Sequence, residues 1–343
     1  MGQKAGNRLR AALGQTRPAA GPAKSAVEPA ESGPAESGAG SVERDWRDRL
    51  ASPSVLLPLL RQRDLVPDHR LGQNFLVDGN ILRKMVNLVG PREGDVIVEV
   101  GAGLGTLTRP LGKRAGRVLA LEYDAYLLPV LAEVVADLGT VEVMRADVLK
   151  LDWGPLLTAA RERAGESGRV QLVGNLPYYL TSPLLYEWLG QPLPWQRLVI
   201  TVQKEAAERL VAEPGSKEYG SLSVLCALRG GAKVVARLAP SSFYPRPHVW
   251  SALVLMERQG ELALPPAVKK VVKACFGQRR KTMLNVLVMS GLLEDREQAR
   301  QLLVKAGIDP QRRPETLRPE EFVDLAARWV DISDNEPGDG GHA

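Results

Sequence analysis

The segment Val96-Ile-Val-Glu-Val-Gly-Ala-Gly-Leu-Gly105 joins an apolar run to a loop rich in glycine. The run predicts a buried strand, and Gly101, Gly103 and Gly105 predict a tight turn into a helix that opens at Thr106. Such a turn lets the backbone approach a ligand, and the helix N-terminal amides offer it hydrogen-bond donors. The GxGxG spacing differs from the GxGxxG of dinucleotide binders, so alone the segment also fits a turn that binds nothing.

Strand-like and helical segments alternate around this loop from Leu65 to Arg258, which predicts an α/β fold built on a mainly parallel, three-layer sheet. Helical spacing is clearest from Tyr126 to Leu138. Two apolar runs at 232–238 and 251–256 could pair in antiparallel fashion at the sheet edge. The other predicted strands are Val118–Leu121, Val141–Met144, Val170–Val173 and Leu198–Val202.

After Pro265-Pro266 the pattern contains helices only. The predicted helices are Ala267–Phe276, Lys281–Met289, Asp295–Ala306 and Pro319–Val330. We therefore divide the chain into a disordered N-terminal tail (1–45), a Rossmann-like domain (46–262), a small all-helical domain (263–331) and a disordered C-terminal tail (332–343).

Composition narrows the class of protein. Of 343 residues, 44% are apolar and 25% charged, as in globular proteins, and no apolar run approaches the ~20 residues of a membrane-spanning helix. Two distant cysteines and three histidines argue against a disulfide framework or a zinc site and favour a reducing, cytoplasmic location. The net charge of +5 only weakly favours a polyanionic partner.

The N-terminal tail carries five Lys/Arg and no acid in its first 27 residues. A solvated tail is the simplest interpretation, and an RNA-binding arm or an organelle transit peptide are alternatives. A secretory signal is excluded because no apolar stretch follows these charges.

Acidic residues follow the next two predicted strands. Glu122 ends the second strand, 21 residues after Gly101, where a carboxylate can accept both hydroxyls of a ribose. Asp147 follows the third strand, where it can accept a hydrogen bond from an adenine amine. Either acid alone could be a helix cap or a loop residue. Together with Gly101 and Gly103 they predict a nucleoside-type cofactor at the carboxyl ends of the strands.

The element Asn175-Leu-Pro-Tyr178 follows the fourth strand, 74 residues after Gly101. The amine of a nucleobase is a poor nucleophile, and two acceptors, the Asn175 side-chain oxygen and the Pro177 carbonyl, could hold it toward a methyl donor. Tyr178 offers a face on which a flipped-out base can stack. An ordinary Asn-x-Pro turn is the alternative interpretation.

With these residues the chain resembles the ribosomal RNA adenine N6,N6-dimethyltransferase family, from Arg70 to about Val330. The resemblance implies a class I S-adenosylmethionine-dependent methyltransferase fold with a seven-stranded sheet. The glycine loop of this chain has Ala102 where proline is frequent in the family. Further matching elements are Arg70–Leu76, Val202–Leu210, Tyr219–Val224, Phe243–Val249 and Phe276–Thr282.

The resemblance also implies roles for particular residues. Asn74 and Leu76 would close over S-adenosylmethionine, which Gly101, Glu122, Asp147 and Asn175 would line. Phe243 would face the target base opposite Tyr178, or else simply pack beside a turn.

A basic cluster at the start of the helical domain indicates an RNA contact. Residues 267–281 hold six Lys/Arg and no acid, ending in Arg279, Arg280 and Lys281. Such side chains can neutralise phosphates, although a solvated helix face is the alternative for the lysines before them.

We therefore expect a monomeric enzyme that dimethylates N6 of two adjacent adenosines in the 3′-terminal hairpin loop of small-subunit rRNA, within an immature 30S particle. One alternative is the sister group that methylates large-subunit rRNA and confers macrolide resistance. Others are an assembly or transcription factor that has lost catalysis and, more distantly, a DNA adenine methyltransferase.

Overall fold

A computed structural model describes residues 45–258, 264–278 and 280–335, with side chains described up to residue 331. The predicted tail residues 1–44 and 336–343 lie outside this range. The strands are β1 (Phe75–Leu76), β2 (Val96–Val100), β3 (Arg117–Glu122), β4 (Val141–Arg145), β5 (Val170–Asn175), β6 (Arg197–Gln203), β7 (Lys233–Leu238), β8 (Phe243–Tyr244) and β9 (Ser251–Glu257).

Twelve α-helices occur in the described residues, and the first of them precedes β1. They are α1 (Pro53–Gln62), α2 (Gly79–Val89), α3 (Thr108–Gly112), α4 (Leu128–Val134), α5 (Trp153–Ala164), α6 (Tyr178–Gly190), α7 (Lys204–Leu210), α8 (Ser221–Ala227), α9 (Pro266–Phe276), α10 (Met283–Met289), α11 (Arg296–Lys305) and α12 (Pro319–Asn335).

Within the described residues, seven strands form one sheet in the order β4-β3-β2-β5-β6-β9-β7, and β1 pairs with β8 in a separate two-stranded ribbon. The first five strands of the large sheet run parallel, whereas β9 is antiparallel to both β6 and β7. The predicted mainly parallel sheet and its antiparallel edge pair are confirmed. Because β2 lies between β3 and β5, the loops after these three strands meet at one edge of the sheet.

Both faces of the sheet are covered, which gives the three predicted layers. Side chains alternate across a strand, so Val98 packs with Trp188 on one face while Ile97 packs with Met85 on the other. All five residues of β2 are buried, as expected of a central parallel strand.

Two helices are shorter than the sequence pattern predicts. The helix after the glycine loop begins at Thr108 rather than Thr106. Helix α4 begins at Leu128 rather than Tyr126, because the Asp124 side chain accepts the Tyr126 backbone N–H and holds this stretch in a turn.

The helical region shares its core with the sheet. One hydrophobic cluster contains Trp188 beneath the sheet together with Val272 and Leu287 of the C-terminal helices. The Tyr219 hydroxyl donates to the Leu317 carbonyl at 2.9 Å, which adds a polar tie across the same boundary. The orientation of this region relative to the sheet is therefore fixed by buried packing.

The N-terminal residues of the described chain are tied to the sheet by one buried cation. Arg109, 2% exposed, donates to Asp48 and Asp137 at 2.7 Å and to Asp45 at 3.2 Å. Its guanidinium also bonds to the Val134 carbonyl. No helix in the described parts of the chain is long and apolar enough to cross a membrane.

Candidate active site

A cavity of about 600 Å³, partly open to solvent, lies at the carboxyl ends of β2, β3 and β5. This is the edge at which open α/β sheets bind ligands. Its walls combine backbone of the glycine loop, apolar side chains and two tyrosines. The lining residues are Leu71–Phe75, Val100, Gly101, Gly103, Leu121–Tyr123, Leu127, Ala146, Val148, Asn175, Pro177, Tyr179 and Leu180.

The glycine loop adopts a backbone that other residues rarely tolerate. Gly101 has φ 71° and Gly103 has φ 57°, both in the left-handed region. A Cβ atom at Gly101 would lie 3.5 Å from Cδ of Pro177 and 3.7 Å from the Asn175 carbonyl oxygen. The glycine loop and the Asn-Leu-Pro-Tyr element therefore lie side by side along one cavity, with room at Gly101 for little more than a glycine.

Glu122 lies at the floor of the cavity and is 8% exposed. One carboxylate oxygen accepts the backbone N–H groups of Tyr123 and Asp124, and the other accepts that of Gly103, all at 2.8 Å. Burial raises the pKa of this carboxyl, although the three donors oppose the rise. A carboxylate has about four acceptor positions, so roughly one remains for a hydroxyl of the ligand.

A second acid, Glu99, is buried under the glycine loop at 2% exposure. Burial, with a further contribution from the charge of Glu122, raises its pKa to about 8. Glu99 is not among the site residues predicted from sequence. Its neutral form at physiological pH lessens the negative charge beneath the cavity.

Asp147 lies at the rim of the cavity, while its neighbours Ala146 and Val148 line the wall. Its carboxylate accepts the Leu149 N–H at 3.1 Å and pairs with Lys150 at 3.4 Å. The end of β4 thus lies at the cavity, but the Asp147 side chain bonds to residues of the turn that follows the strand.

The segment before β1 closes one side of the cavity. Asn74 lines it, and its neighbour Phe75 approaches Gly103, with a Cβ there lying 3.3 Å from the Phe75 ring. Leu76 points the opposite way, as alternation along a strand requires, and packs with Met85. The structure therefore brings Asn74 to the site but not the side chain of Leu76.

Asn175 is held by hydrogen bonds from both sides. Its Nδ2 donates to the Asn74 carbonyl at 2.7 Å, and its Oδ1 accepts the hydroxyl of Thr201 on β6. Thr201 is 2% exposed, and its register opposite Asn175 in the parallel pair fixes this contact. The amide oxygen keeps one lone pair free for a further donor.

Pro177 is the N-cap residue of helix α6, and its carbonyl already accepts two donors. These are the Leu180 N–H at 3.0 Å and the Thr181 hydroxyl at 3.5 Å. The carbonyl expected to accept the substrate amine is thus occupied by the first helical turn. The proline ring instead packs against Gly101 and helps to shape the cavity.

Two consecutive tyrosines face different surroundings. The Tyr178 hydroxyl bonds to the Ser251 hydroxyl at 2.9 Å and lies outside the cavity lining. Tyr179 is half exposed and lines the cavity, close to Gly72. Burial, with the nearby charges of Asp147 and Glu122, raises its pKa.

Tyr179 and Gln73 are site residues that the sequence pattern did not predict. Gln73 donates to Asp124 at 2.6 Å and accepts the Asp68 N–H at 2.8 Å, so it fastens the closing segment to the loop after β3. The second tyrosine of Asn-Leu-Pro-Tyr-Tyr could have been noticed as a second aromatic at the same strand end. The bond of Gln73 joins residues 51 apart and has no local signal.

Phe243 does not reach the cavity. It is 4% exposed and packs in the cluster of Leu76 and Met85. Its strand β8 nevertheless pairs with β1, with Leu76 opposite Phe243 and Phe75 opposite Tyr244. The segment is therefore positioned next to the site through its backbone.

Of the basic cluster, Arg280 and Lys281 follow α9 in the chain and are not among the residues that line this cavity. Arg280 and Lys281 are exposed, and Arg279 lies outside the described residues. Among the described residues, no group of three or more His, Cys, Asp or Glu side chains could hold a metal ion.

Comparison with known proteins agrees with this geometry. The sequence model of the family described as ribosomal RNA adenine dimethylase matches residues 68–330. A protein of Pelotomaculum thermopropionicum named ribosomal RNA small subunit methyltransferase A is 43% identical over 294 residues, covering 82% of this chain and 98% of the relative. The protein of the same name from Geobacillus kaustophilus is 40% identical over 287 residues, covering 81% and 96%.

Solved structures share the fold. A dimethyladenosine transferase from Plasmodium falciparum superposes with a TM-score of 0.64 at 21% identity, covering 76% of this chain and 98% of that one. The 23S rRNA methyltransferase ErmE superposes with a TM-score of 0.53 at 24% identity, covering 75% and 100%. At these identities the likeness concerns the fold alone.

Proposed function

The chain belongs to the ribosomal RNA adenine dimethylase family, and on this premise we propose that it dimethylates N6 of two adjacent adenosines in the 3′-terminal hairpin loop of small-subunit rRNA. It is an enzyme that uses S-adenosylmethionine as methyl donor. The observation that carries the proposal is that Gly101, Asn175 and Pro177 line the same cavity, since this places the cofactor loop beside the element that would hold the base.

The residues of the cavity suit the cofactor. The remaining acceptor position of Glu122 suits a ribose hydroxyl, and the apolar wall of Val148, Leu127 and Leu121 suits an adenine ring. We propose that Asn74, Gly101, Gly103, Glu122 and Asn175 hold it, with Asp147 at the rim. When bound, S-adenosylmethionine supplies an electrophilic methyl group on its sulfonium.

Asn175 would orient the substrate amine. The free lone pair of its Oδ1 can accept an N6 hydrogen, while Thr201 and Asn74 keep the amide from rotating. Since the Pro177 carbonyl is occupied, we assign the second acceptor to the carbonyl of Leu176, which precedes the helix. Methyl transfer leaves a cationic nitrogen that loses its proton readily, so no strong general base is needed.

Tyr178 would offer its ring to the flipped-out adenine. Its hydroxyl bonds to Ser251, the first residue of β9. This bond fixes the ring, so the stacking face is preorganised. We keep Phe243 as a supporting residue, because its strand positions the backbone beside Asn74 through β1. Arg279, Arg280 and Lys281 would bind rRNA phosphates.

We further propose that the substrate is an immature 30S particle and that the enzyme acts in the cytoplasm as a monomer. Labelled S-adenosylmethionine should modify 30S precursors from an undermethylated strain and leave 50S precursors unlabelled.

The test of the site uses Asn175→Ala beside the native enzyme on the same 30S precursors. We expect methylation at saturating S-adenosylmethionine to fall about 100-fold, because the variant loses the oxygen that would orient the substrate amine in addition to a cofactor contact. Full activity of Asn175→Ala would overturn the site assignment. Labelling of 50S particles would favour the large-subunit alternative, and cofactor binding without turnover on either particle would favour a non-catalytic assembly factor.

A further inference from the structure

The loop from Tyr244 to Trp250, here called the aromatic loop, concentrates exposed apolar surface. Tyr244 is 39% exposed, Val249 41% and Trp250 51%. Arg246 and His248, which lie between them in sequence, are exposed as well. Clustered exposed aromatic surface on a folded protein indicates a partner that covers it.

Both ends of the aromatic loop are anchored on the candidate active site. At its start, Tyr244 lies opposite Phe75 in the pair of β1 and β8. Phe75 follows Asn74, whose backbone carbonyl accepts the side-chain amide of Asn175. At its end, Trp250 directly precedes Ser251, whose hydroxyl bonds to Tyr178. A polymer whose target base stacks on Tyr178 must therefore pass beside this loop.

The loop is held in place by buried and hydrogen-bonded backbone. The Trp250 carbonyl accepts the Lys204 N–H at 2.9 Å, and Pro247 is buried. The aromatic rings are thus presented from a fixed backbone, so little entropy is lost when a partner stacks on them.

The charge of the loop selects the chemistry of the partner. The loop itself contains Arg246 and no acid, and the exposed Arg237 lies opposite Ala252, next to the end of the loop. Aromatic faces combined with cations are typical of surfaces that bind single-stranded nucleic acid, because each base offers a ring and each phosphate a negative charge.

We propose that the aromatic loop is a stacking platform for unpaired rRNA nucleotides that flank the target adenosines, with Trp250 as the principal stacking residue and Arg246 as a phosphate contact. This inference rests on the proposed function, since it takes rRNA as the substrate. It adds a second RNA contact, distinct from the basic cluster of the helical region.

The test measures affinity for an RNA hairpin with an unpaired adenosine-containing loop. Trp250→Ala should weaken binding about 5- to 50-fold, as loss of one stacked base predicts, and Trp250→Phe should retain most of it. Tyr126→Ala is the matched control, because Tyr126 is 81% exposed and lies in the turn before α4. A fully paired RNA of the same length should bind all four proteins alike.

Salt dependence separates stacking from charge. The slope of log Kd against log salt should be unchanged in Trp250→Ala and shallower by about one in Arg246→Gln. Affinity for S-adenosylhomocysteine and the melting temperature should stay at the native values in both variants, which excludes a folding defect.

Unchanged RNA affinity in Trp250→Ala would overturn the inference, even where Asn175→Ala abolishes methylation and the proposed function stands. A loss seen with 30S particles but absent with the naked hairpin would also overturn it, since the loop would then contact ribosomal protein. Conversely, Trp250→Ala could weaken RNA binding while the native protein methylates no rRNA. That result would support the stacking platform and reject the proposed function.

Discussion

The Nδ2 atom of Asn175 donates to the backbone carbonyl of Asn74 at 2.7 Å, across 101 residues of sequence. This bond joins the segment that closes the cavity to the element that would hold the substrate amine. It also determines the direction of the amide, because Nδ2 is committed to Asn74 and Oδ1 is left to face Thr201 and the substrate.

Thr201→Val should slow methyl transfer while the fold persists. Removing the hydroxyl frees the Asn175 amide to rotate, and loss of one such bond, about 1 kcal/mol, corresponds to a several-fold lower rate. Single-turnover methylation of 30S precursors measures this. Thr140→Val is the control, since its hydroxyl bonds to the Gly112 carbonyl away from the cavity. Equal rates for the two variants would contradict the positioning role of Thr201.

Tyr179→Ala should loosen the cofactor site. The ring lines the cavity while half exposed, so its removal opens the cavity to water, and we expect about 10-fold weaker binding of S-adenosylhomocysteine. Calorimetric titration gives the Kd. Tyr179→Phe should bind as the native protein does, and Tyr126→Ala controls for loss of an exposed tyrosine. Native affinity in Tyr179→Ala would exclude a covering role.

Glu99 should make stability depend on pH. Its pKa in the folded protein is about 8, above the ordinary value of 4.5. Between these values the Glu99 carboxyl ionises in the unfolded chain and not in the folded one, so the contribution of Glu99 to stability is complete below about pH 4.5 and is lost as the pH rises to about 8. Melting temperatures of Glu99→Gln should show less of this decline. Glu205→Gln, an exposed acid, is the control; parallel curves for all three proteins would refute the prediction.

Arg109→Met should destabilise the protein. It removes the buried cation that three carboxylates share, and because these carboxylates are 30–45% exposed we expect a moderate loss of stability that still exceeds the loss from breaking one exposed pair. Arg63→Met, which breaks an exposed pair with Glu133, should cost less than about 1 kcal/mol. Urea unfolding compares the two. Limited proteolysis should also cut within 45–62 faster in Arg109→Met, and equal cleavage would argue that Arg109 does not hold this segment.

Arg280→Gln and Lys281→Gln should weaken RNA binding uniformly across sequences. Each lost phosphate contact should make the slope of log Kd against log salt shallower by about one. Filter binding at several salt concentrations measures the slope. Lys305→Gln is the control, as an exposed lysine of α11. Slopes equal to that of the native protein would remove these residues from the RNA interface.

Local pattern was sufficient for much of the fold. The strand β2 and the glycine loop follow from an apolar run and glycine spacing, and both are determined by residues within ten positions of each other. The errors lie where a side chain competes with the backbone, as at Asp124, which holds Tyr126 in a turn and shortens α4.

The sequence by itself determined the class of the sheet, which strand ends carry the site residues, and the family. These follow from periodicity and motif spacing, which are properties of neighbouring residues. Only the tertiary structure decided which side chains share the cavity. It brought Asn74 to Asn175, placed Tyr179 rather than Tyr178 on the cavity wall, and turned Leu76 and Phe243 into the core. These outcomes depend on strand pairing and on packing between residues far apart in the chain, and neither leaves a signal in local sequence.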